Sequence, residues 1–172
     1  MAAREPFTGR IQVFTTGGTL DKVYFDDLST YTVGEPQIVD ILRSVNVQVP
    51  FDVETLMRKD SIHLTTHDRS LIEHACRHCS ASRILITHGT DTMIETARDL
   101  QGLGADKTIV LVGSLSPARF KGTDAEFNIG FAWAVVQTAP PGIYIAMNGR
   151  VFDAAHVRKN RDENRFEQVQ GE

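Results

Sequence analysis

Cysteine is scarce in this chain, and the scarcity argues against a disulfide framework or a zinc finger. Only two cysteines occur among 172 residues, Cys76 and Cys79, and no second Cys or Cys/His pair follows them at the spacing of a finger. We therefore expect two structural thiols on a helix and no metal site. Five of the six histidines are scattered between a loop, a helix and the end of the chain, and we expect surface or structural roles for them: His63, His67, His74, His78 and His156.

Long hydrophobic runs and a strong excess of one charge are also missing. No segment reaches the ~20 apolar residues that a membrane-spanning helix needs, and residues 1–9 lack the apolar stretch of a signal peptide. These absences predict a cytoplasmic protein that does not contact a membrane. The net charge of −4 argues against nucleic acid as the main partner.

Apolar runs alternate along the chain with segments of helical periodicity. The predicted strands cover residues 11–14, an extended segment from 47 to 57 interrupted by Pro50, and residues 84–87, 108–112 and 143–147. The predicted helices cover residues 38–45, about 66–79, a segment from residue 92 onwards, and about 124–136. This alternation with short connections predicts an α/β fold of three layers, a mostly parallel sheet with helices on both faces.

Two details of this organisation can be stated from residue types alone. Thr92 with Glu95, and Thr123 with Glu126, have the spacing of helix capping boxes. Residues 158–172 are largely polar and show no core-building pattern. We expect one domain over residues 1–172, in which 158–172 form a surface extension that closes over a site or docks on another subunit.

Two Thr- and Gly-rich stretches follow predicted strands, residues 15–19 (TTGGT) and 87–92 (THGTDT). Glycine lets the backbone approach a ligand closely, and the carboxyl ends of strands border the binding crevice of open α/β sheets. Thr19 and Thr90 are candidate nucleophiles that need a base, and Asp91 can hold a substrate ammonium. Acyl transfer or amide hydrolysis fits this set, while service in a turn or as a helix cap is the alternative for Thr19.

Taken together, the two stretches resemble the signature motifs of the bacterial-type L-asparaginase family. Three further segments are similar to parts of that family: residues 31–34 (YTVG) to its mobile loop, Asp60-Ser61 to its substrate-binding loop, and residues 157–159 (VRK) to the segment with its lysine. The resemblance extends from about residue 10 to about residue 160. It implies the fold of the asparaginase N-terminal domain.

The resemblance also implies an amidohydrolase that converts L-asparagine to L-aspartate and ammonia through a threonine-bound acyl intermediate. Glutaminase activity would be weak or absent, and neither a metal nor an organic cofactor would be needed. The implied catalytic residues are Thr19, Tyr31, Thr90 and Lys159. The implied substrate-binding residues are Asp60, Ser61, Gly89 and Asp91.

In this assignment Thr19 attacks the side-chain amide carbon, and Tyr31 assists its deprotonation. The residue pattern by itself leaves Tyr24 as an alternative to Tyr31. Thr90 and Lys159 form a second hydroxyl–amine pair. Asp91 binds the α-amino group of the substrate. Ser61, which lies in the same loop as Asp60, binds its α-carboxylate.

The sequence departs from the family pattern in three ways. Leu20-Asp21 stands where a small residue is usual, and Ile62 stands where many members have glutamine or serine. Family members continue into a second domain and complete the site at a subunit contact, so we expect a homodimer or a larger homo-oligomer here.

A non-catalytic amino-acid-binding module on the same fold is the alternative function. A nucleotide-phosphate site is disfavoured because neither glycine turn has the spacing of a Walker or dinucleotide motif.

Overall fold

The computed structural model describes residues 7–25 and 30–169. A six-stranded sheet forms its centre, in the strand order β4-β1-β5-β6-β7-β8. The strands are β1 (Ile11–Gly17), β2 (Lys22–Phe25), β3 (Thr30–Val33), β4 (Phe51–Lys59), β5 (Arg83–Thr87), β6 (Thr108–Val112), β7 (Gly142–Met147), β8 (Arg150–Asp153), β9 (Val157–Asn160) and β10 (Arg165–Gln168). The α-helices are α1 (Ile38–Ser44), α2 (Thr66–His78), α3 (Met93–Asp99) and α4 (Ala125–Thr138).

The predicted fold class is confirmed. Strands β4, β1, β5, β6 and β7 pair in parallel, and β8 closes the sheet as an antiparallel edge strand. All residues of β6 are buried, and successive side chains of a strand point to opposite faces. Both faces of the central sheet are therefore covered, as expected for parallel strands that read as continuous apolar runs. Among the described residues, no helix has the length and apolar character to cross a membrane.

The capping boxes predicted for α3 and α4 are wrong. Thr92 precedes α3, but its side chain makes no capping hydrogen bond; its hydroxyl donates instead to the carbonyl oxygen of Ser61 at 2.8 Å. At α4 the N-cap is Asp124, and the Thr123 hydroxyl accepts a bond only from the Ala125 amide. Tertiary partners decide the use of these hydroxyls, which the local spacing does not reveal.

A capping box does form at α2, at a position where none was predicted. The Thr65 hydroxyl accepts a hydrogen bond from the Asp68 amide, and the Asp68 carboxylate accepts one from the Thr65 amide. An aspartate at the third helical position takes the role usually given to glutamate or glutamine. This cap fixes the start of α2, directly after the loop that contains Ser61.

The end of the chain is more ordered than its composition predicts. Residues of β9 and β10 pair as an antiparallel hairpin, and Phe166 is only 4% exposed, with its ring 6.3 Å from that of Phe152. The segment was expected to be a polar surface extension, and the structure places one of its residues, Phe166, in the core. Side chains of a strand point alternately to opposite faces, so Arg165 and Glu167 point away from the core while Phe166 points into it. A single apolar residue between polar neighbours gives no recognisable core pattern in the sequence.

Candidate active site

The register of the sheet places the two glycine turns side by side. Thr15 of β1 pairs with Thr87 of β5, so both strands end at the same edge. Gly18, in the turn after β1, has φ +92°, and a Cβ built on it would lie 2.5 Å from the Cα of Gly89. Only a glycine permits this approach. Thr19 follows at once and begins a short helical turn, so it lies next to the second glycine turn.

Ser61 holds the second turn from the other side. Its side chain is 1% exposed, and its hydroxyl accepts a hydrogen bond from the Asp91 amide at 3.2 Å. A Cβ on Gly89 would lie 2.5 Å from the Ser61 hydroxyl oxygen. Gly89 therefore has a packing role, and the hydroxyl of Ser61 packs against the second glycine turn.

Thr90, Lys159 and Asp91 form a connected polar group. Lys159 Nζ lies 2.8 Å from Thr90 Oγ1 and 2.8 Å from Asp91 Oδ1. Thr90 is 5% exposed, whereas the side chains of Lys159 and Asp91 are 11% and 36% exposed. The strand β9 delivers the lysine, so the hairpin at the chain end contributes to this site. A cavity of ≈ 230 Å³ lies beside the Asp91–Lys159 ion pair.

His88 lies under the second glycine turn and is fully buried. One ring nitrogen, Nδ1, lies 2.7 Å from the Gly89 carbonyl oxygen, and Nε2 lies 2.9 Å from the Thr96 hydroxyl. Burial lowers the pKa of His88 to about 4, although the Gly89 hydrogen bond opposes the shift. The neutral tautomer that donates from Nδ1 and accepts at Nε2 satisfies both contacts. His88 therefore connects the second glycine turn to α3 through these two hydrogen bonds.

Asp60 uses its carboxylate to join two loops. One oxygen accepts a hydrogen bond from the Ile62 amide at 3.3 Å, and the other lies 2.6 Å from Lys22 Nζ. Partial burial raises the pKa of Asp60, but the bonds from Lys22 and Ile62 outweigh that effect and hold its pKa below the usual value. The sequence did not single out Lys22, which anchors the start of β2 to the Ser61 loop. A substrate contact of Asp60 stays a prediction.

Tyr31 and Tyr24 face each other across the β2–β3 hairpin. They are 51% and 52% exposed, and their rings lie 5.3 Å apart. The Tyr31 ring also lies 6.0 Å from that of Phe120. The hairpin thus presents both phenols at similar exposure, and the choice of Tyr31 over Tyr24 stays a prediction.

Asp21, two residues after Thr19, is a buried acid whose surroundings the sequence does not predict. It is 1% exposed, and one carboxyl oxygen accepts a hydrogen bond from the Gln37 amide at 2.8 Å. Burial raises the pKa of Asp21 to about 7, while the Gln37 bond and the charge of Arg58 act in the opposite direction. The available signal was the position of an acid directly after the first motif, in place of a small residue.

The cysteines and histidines do not assemble within the described ranges. No group of three or more His, Cys, Asp or Glu side chains there has a geometry that could hold a metal ion. Both thiols are free, and Cys76 is buried. Burial raises the pKa of the Cys76 thiol to about 12, so this side chain stays a protonated thiol at neutral pH.

The sheet order, the paired glycine turns and the lysine–threonine contact define a hydroxyl-rich site at the carboxyl edge of a parallel sheet. The chain belongs to the asparaginase family, because the family model for "Asparaginase, N-terminal" matches residues 10–170. Among curated relatives, L-asparaginase 2 of Escherichia coli is 31% identical over 87% of this chain and 46% of that protein. The glutaminase-asparaginase of Acinetobacter glutaminasificans is 32% identical over 72% of this chain and 38% of that protein.

Solved structures give the same fold. The thermostable L-asparaginase from Thermococcus kodakarensis superposes with a TM-score of 0.82 at 24% identity, over 93% of this chain and 51% of that one. The probable cytoplasmic L-asparaginase from Campylobacter jejuni superposes with a TM-score of 0.74 at 28% identity, over 88% of this chain and 50% of that one. The chain spans about half the length of the curated relatives it matches.

Proposed function

We propose that this chain hydrolyses L-asparagine to L-aspartate and ammonia. The observation that carries the proposal is the contact of Lys159 Nζ with Thr90 Oγ1 at 2.8 Å, next to the glycine turn that leads into Thr19. A hydroxyl paired with an amine is the arrangement that proton transfer to and from a reacting group requires. Membership in the asparaginase family supports amide hydrolysis over other acyl transfers.

In the proposed reaction the hydroxyl oxygen of Thr19 attacks the side-chain amide carbon of asparagine. The C–N bond breaks, the amide nitrogen leaves with an added proton as ammonia, and the β-carboxyl carbon of aspartate remains as an ester of Thr19. Water then cleaves the ester, releasing aspartate and restoring the hydroxyl. Tyr31 assists the loss of the Thr19 proton, and Thr90 with Lys159 positions water or moves its proton.

Charge complementarity supports the proposed positions of the two ends of the substrate. The Asp91 carboxylate is 36% exposed and can accept hydrogen bonds from the α-ammonium group while it keeps its contact with Lys159. The Ser61 hydroxyl accepts from the Asp91 amide, so its own proton is available to the α-carboxylate. We propose that glutamine, longer by one methylene, reacts weakly or not at all. A relative is named a glutaminase-asparaginase, so glutamine belongs in every assay.

The deciding experiment measures ammonia release from L-asparagine and L-glutamine by wild type, Thr19→Ala and Thr66→Ala. We expect Thr19→Ala to lose about 10²-fold or more in kcat, the scale of a lost positioned group. Thr66→Ala, at an exposed threonine of α2, should keep wild-type activity. Equal activity of wild type and Thr19→Ala would contradict the assignment. Binding of asparagine without any turnover would favour the non-catalytic amino-acid-binding module.

We also propose a homodimer or larger homo-oligomer without nucleic-acid or membrane partners. Two-fold dimers are the commonest assembly of soluble proteins, and the family resemblance implies a site completed at a subunit contact. Light scattering on the active protein tests this, and an active monomer of 19.1 kDa contradicts it.

A cytoplasmic location is proposed by analogy with the Campylobacter protein and is tested by cell fractionation.

A further inference from the structure

Asp21 is a buried acid beside the proposed nucleophile, and one of its oxygens has no partner. Its Oδ1 accepts a hydrogen bond from the Gln37 amide at 2.8 Å. Its Oδ2 is buried and has no hydrogen-bond partner among the described residues. A carboxylate in such a place loses hydration without gaining donors, whereas a neutral carboxylic acid loses much less.

The position of Asp21 in the chain joins three segments of the site. It closes the helical turn that Thr19 begins, and β2 starts at the next residue. Its carbonyl oxygen accepts a hydrogen bond from the Gly34 amide at 2.8 Å, and its side chain binds the Gln37 amide, both in the connection after β3. Asp21 therefore contacts both ends of the hairpin that carries Tyr31.

A cation whose charge reaches Asp21 is already paired with another acid. Arg58 on β4 is the cation whose charge acts on Asp21, but its two terminal nitrogens each lie 2.6 Å from a carboxylate oxygen of Glu35. Glu35 is itself in the connection between β3 and α1. The bidentate pair fixes the guanidinium on Glu35 and leaves Asp21 without an ion pair among the described residues.

Two further cations lie on segments that pack around Asp21, and each has another acceptor. Arg119, in the connection after β6, donates from Nε to the side-chain oxygen of Gln37 at 3.1 Å. Lys22, the next residue after Asp21, pairs with Asp60 at 2.6 Å. Around Asp21, where the β2–β3 hairpin begins and ends, Arg58, Arg119 and Lys22 therefore each bind another acceptor, and Asp21 has no ion pair among the described residues.

We propose that Asp21 is a positioning residue of this site. As a neutral carboxylic acid it holds the two ends of the β2–β3 hairpin together beside the Thr19 turn. Loss of its proton is coupled to opening of the hairpin. The link to catalysis rests on the proposed function, because the hairpin carries Tyr31. Burial raises the pKa of Asp21 from 3.8 to about 7 in the closed form. An opened hairpin exposes the acid and returns its pKa toward the lower value.

The sign of the pH dependence follows from proton linkage. Between pH 3.8 and about 7 the open form releases its proton while the closed form keeps it. The equilibrium constant for opening therefore rises with pH in this window, by up to about tenfold per pH unit, and levels off above the closed-form pKa. Opening at high pH loosens the segment that holds Tyr31.

Hydrogen exchange of the backbone amides in β2 and β3, from pH 5 to pH 8, measures this opening after correction for intrinsic exchange rates. We expect a steep rise between pH 5 and pH 7 in the wild type and a flat profile in Asp21→Asn. The asparagine keeps an acceptor for Gln37 and has no proton to lose. Asp52→Asn, at an exposed acid of β4, is the matched control and should retain the wild-type profile.

A flat wild-type profile between pH 5 and pH 7 overturns the proposal, and so do superimposable profiles for wild type and Asp21→Asn. If Asp21→Asn does not fold, the wild-type profile decides alone, with the amides of β5 as the internal reference for global unfolding. No substrate enters the measurement, so a chain without amidase activity still tests Asp21. In an active chain, the KM of the wild type should rise with pH relative to that of Asp21→Asn, with kcat at saturation less affected.

Discussion

Lys159 Nζ and Thr90 Oγ1 lie 2.8 Å apart although 69 positions separate the two residues along the chain. The contact joins the β9–β10 hairpin to the turn after β5, and the same amine pairs with Asp91. One lysine thereby holds two residues of the second signature motif.

Replacing Lys159 by methionine tests this relationship. Lys159→Met should lower kcat/KM by about 10²-fold or more, because Thr90 loses its amine partner. Stability should fall by only about 1 kcal/mol, since Asp91 is partly exposed and water can solvate it. Steady-state ammonia release and urea unfolding measure the two effects. Arg158→Met, at the exposed neighbour on the same strand, is the control, and equal losses in both variants would speak against a specific role for Lys159.

The choice between the two hairpin tyrosines can be made by paired substitutions. Tyr31→Phe should lower kcat by about 10²-fold if its hydroxyl assists Thr19. Tyr24→Phe should leave kcat close to that of the wild type. Because the two rings are almost equally exposed, each variant controls for the other. Loss in Tyr24→Phe alone would transfer the proposed role to Tyr24.

The contact between the glycine turns predicts a large penalty for any side chain at Gly18. Gly18→Ala places a Cβ 2.5 Å from the Cα of Gly89 at φ +92°, and we expect a loss of about 2 kcal/mol or more. Gly130→Ala, in α4, meets no atom within 4 Å and should gain about 0.5–1 kcal/mol through helix propensity. Chemical denaturation compares the two. A neutral Gly18→Ala would mean that the turns separate easily.

His88 predicts an acid-sensitive component of stability. The unfolded histidine binds a proton below pH 6.5, whereas burial keeps the folded one neutral until about pH 4. The unfolded state then binds more protons, so the free energy of unfolding falls as pH drops through this window, by about 3 kcal/mol in total. Asp21 contributes the opposite slope between pH 3.8 and about 7.

Comparison with His88→Gln isolates this component. Glutamine can keep a donor to Gly89 and an acceptor for Thr96, but it does not titrate. We expect the stability difference between wild type and His88→Gln to shrink as the pH falls from 6.5 to 4, measured by urea unfolding. His67→Gln, at an exposed position of α2, should leave the pH profile unchanged. A difference that stays constant with pH would show that His88 binds protons equally in the folded and unfolded states, which contradicts a pKa lowered by burial.

The sequence by itself determined the layered fold and the location of the glycine turns. The strands β1, β5 and β6 each contain a short, mainly apolar run, and such runs are typical of parallel strands that are buried on both faces. The same local logic located α2, whose buried Ile72 and Cys76 lie one helical turn apart. Glycines at strand ends marked the turns because positive φ angles are a local property of the backbone.

Only the tertiary structure decided which polar groups meet. The Thr92 hydroxyl has the spacing of a cap, yet it bonds to Ser61 because the loop before α2 packs against it. Phe166 enters the core from a polar segment, and Asp21 is buried although the sequence gives it no obvious partner. Such pairings depend on the register of strands far apart in the chain, as with Thr15 and Thr87. The periodicity of the sequence indicates which face of a helix or strand is buried. The packing of the chain decides which remote side chains that face contacts.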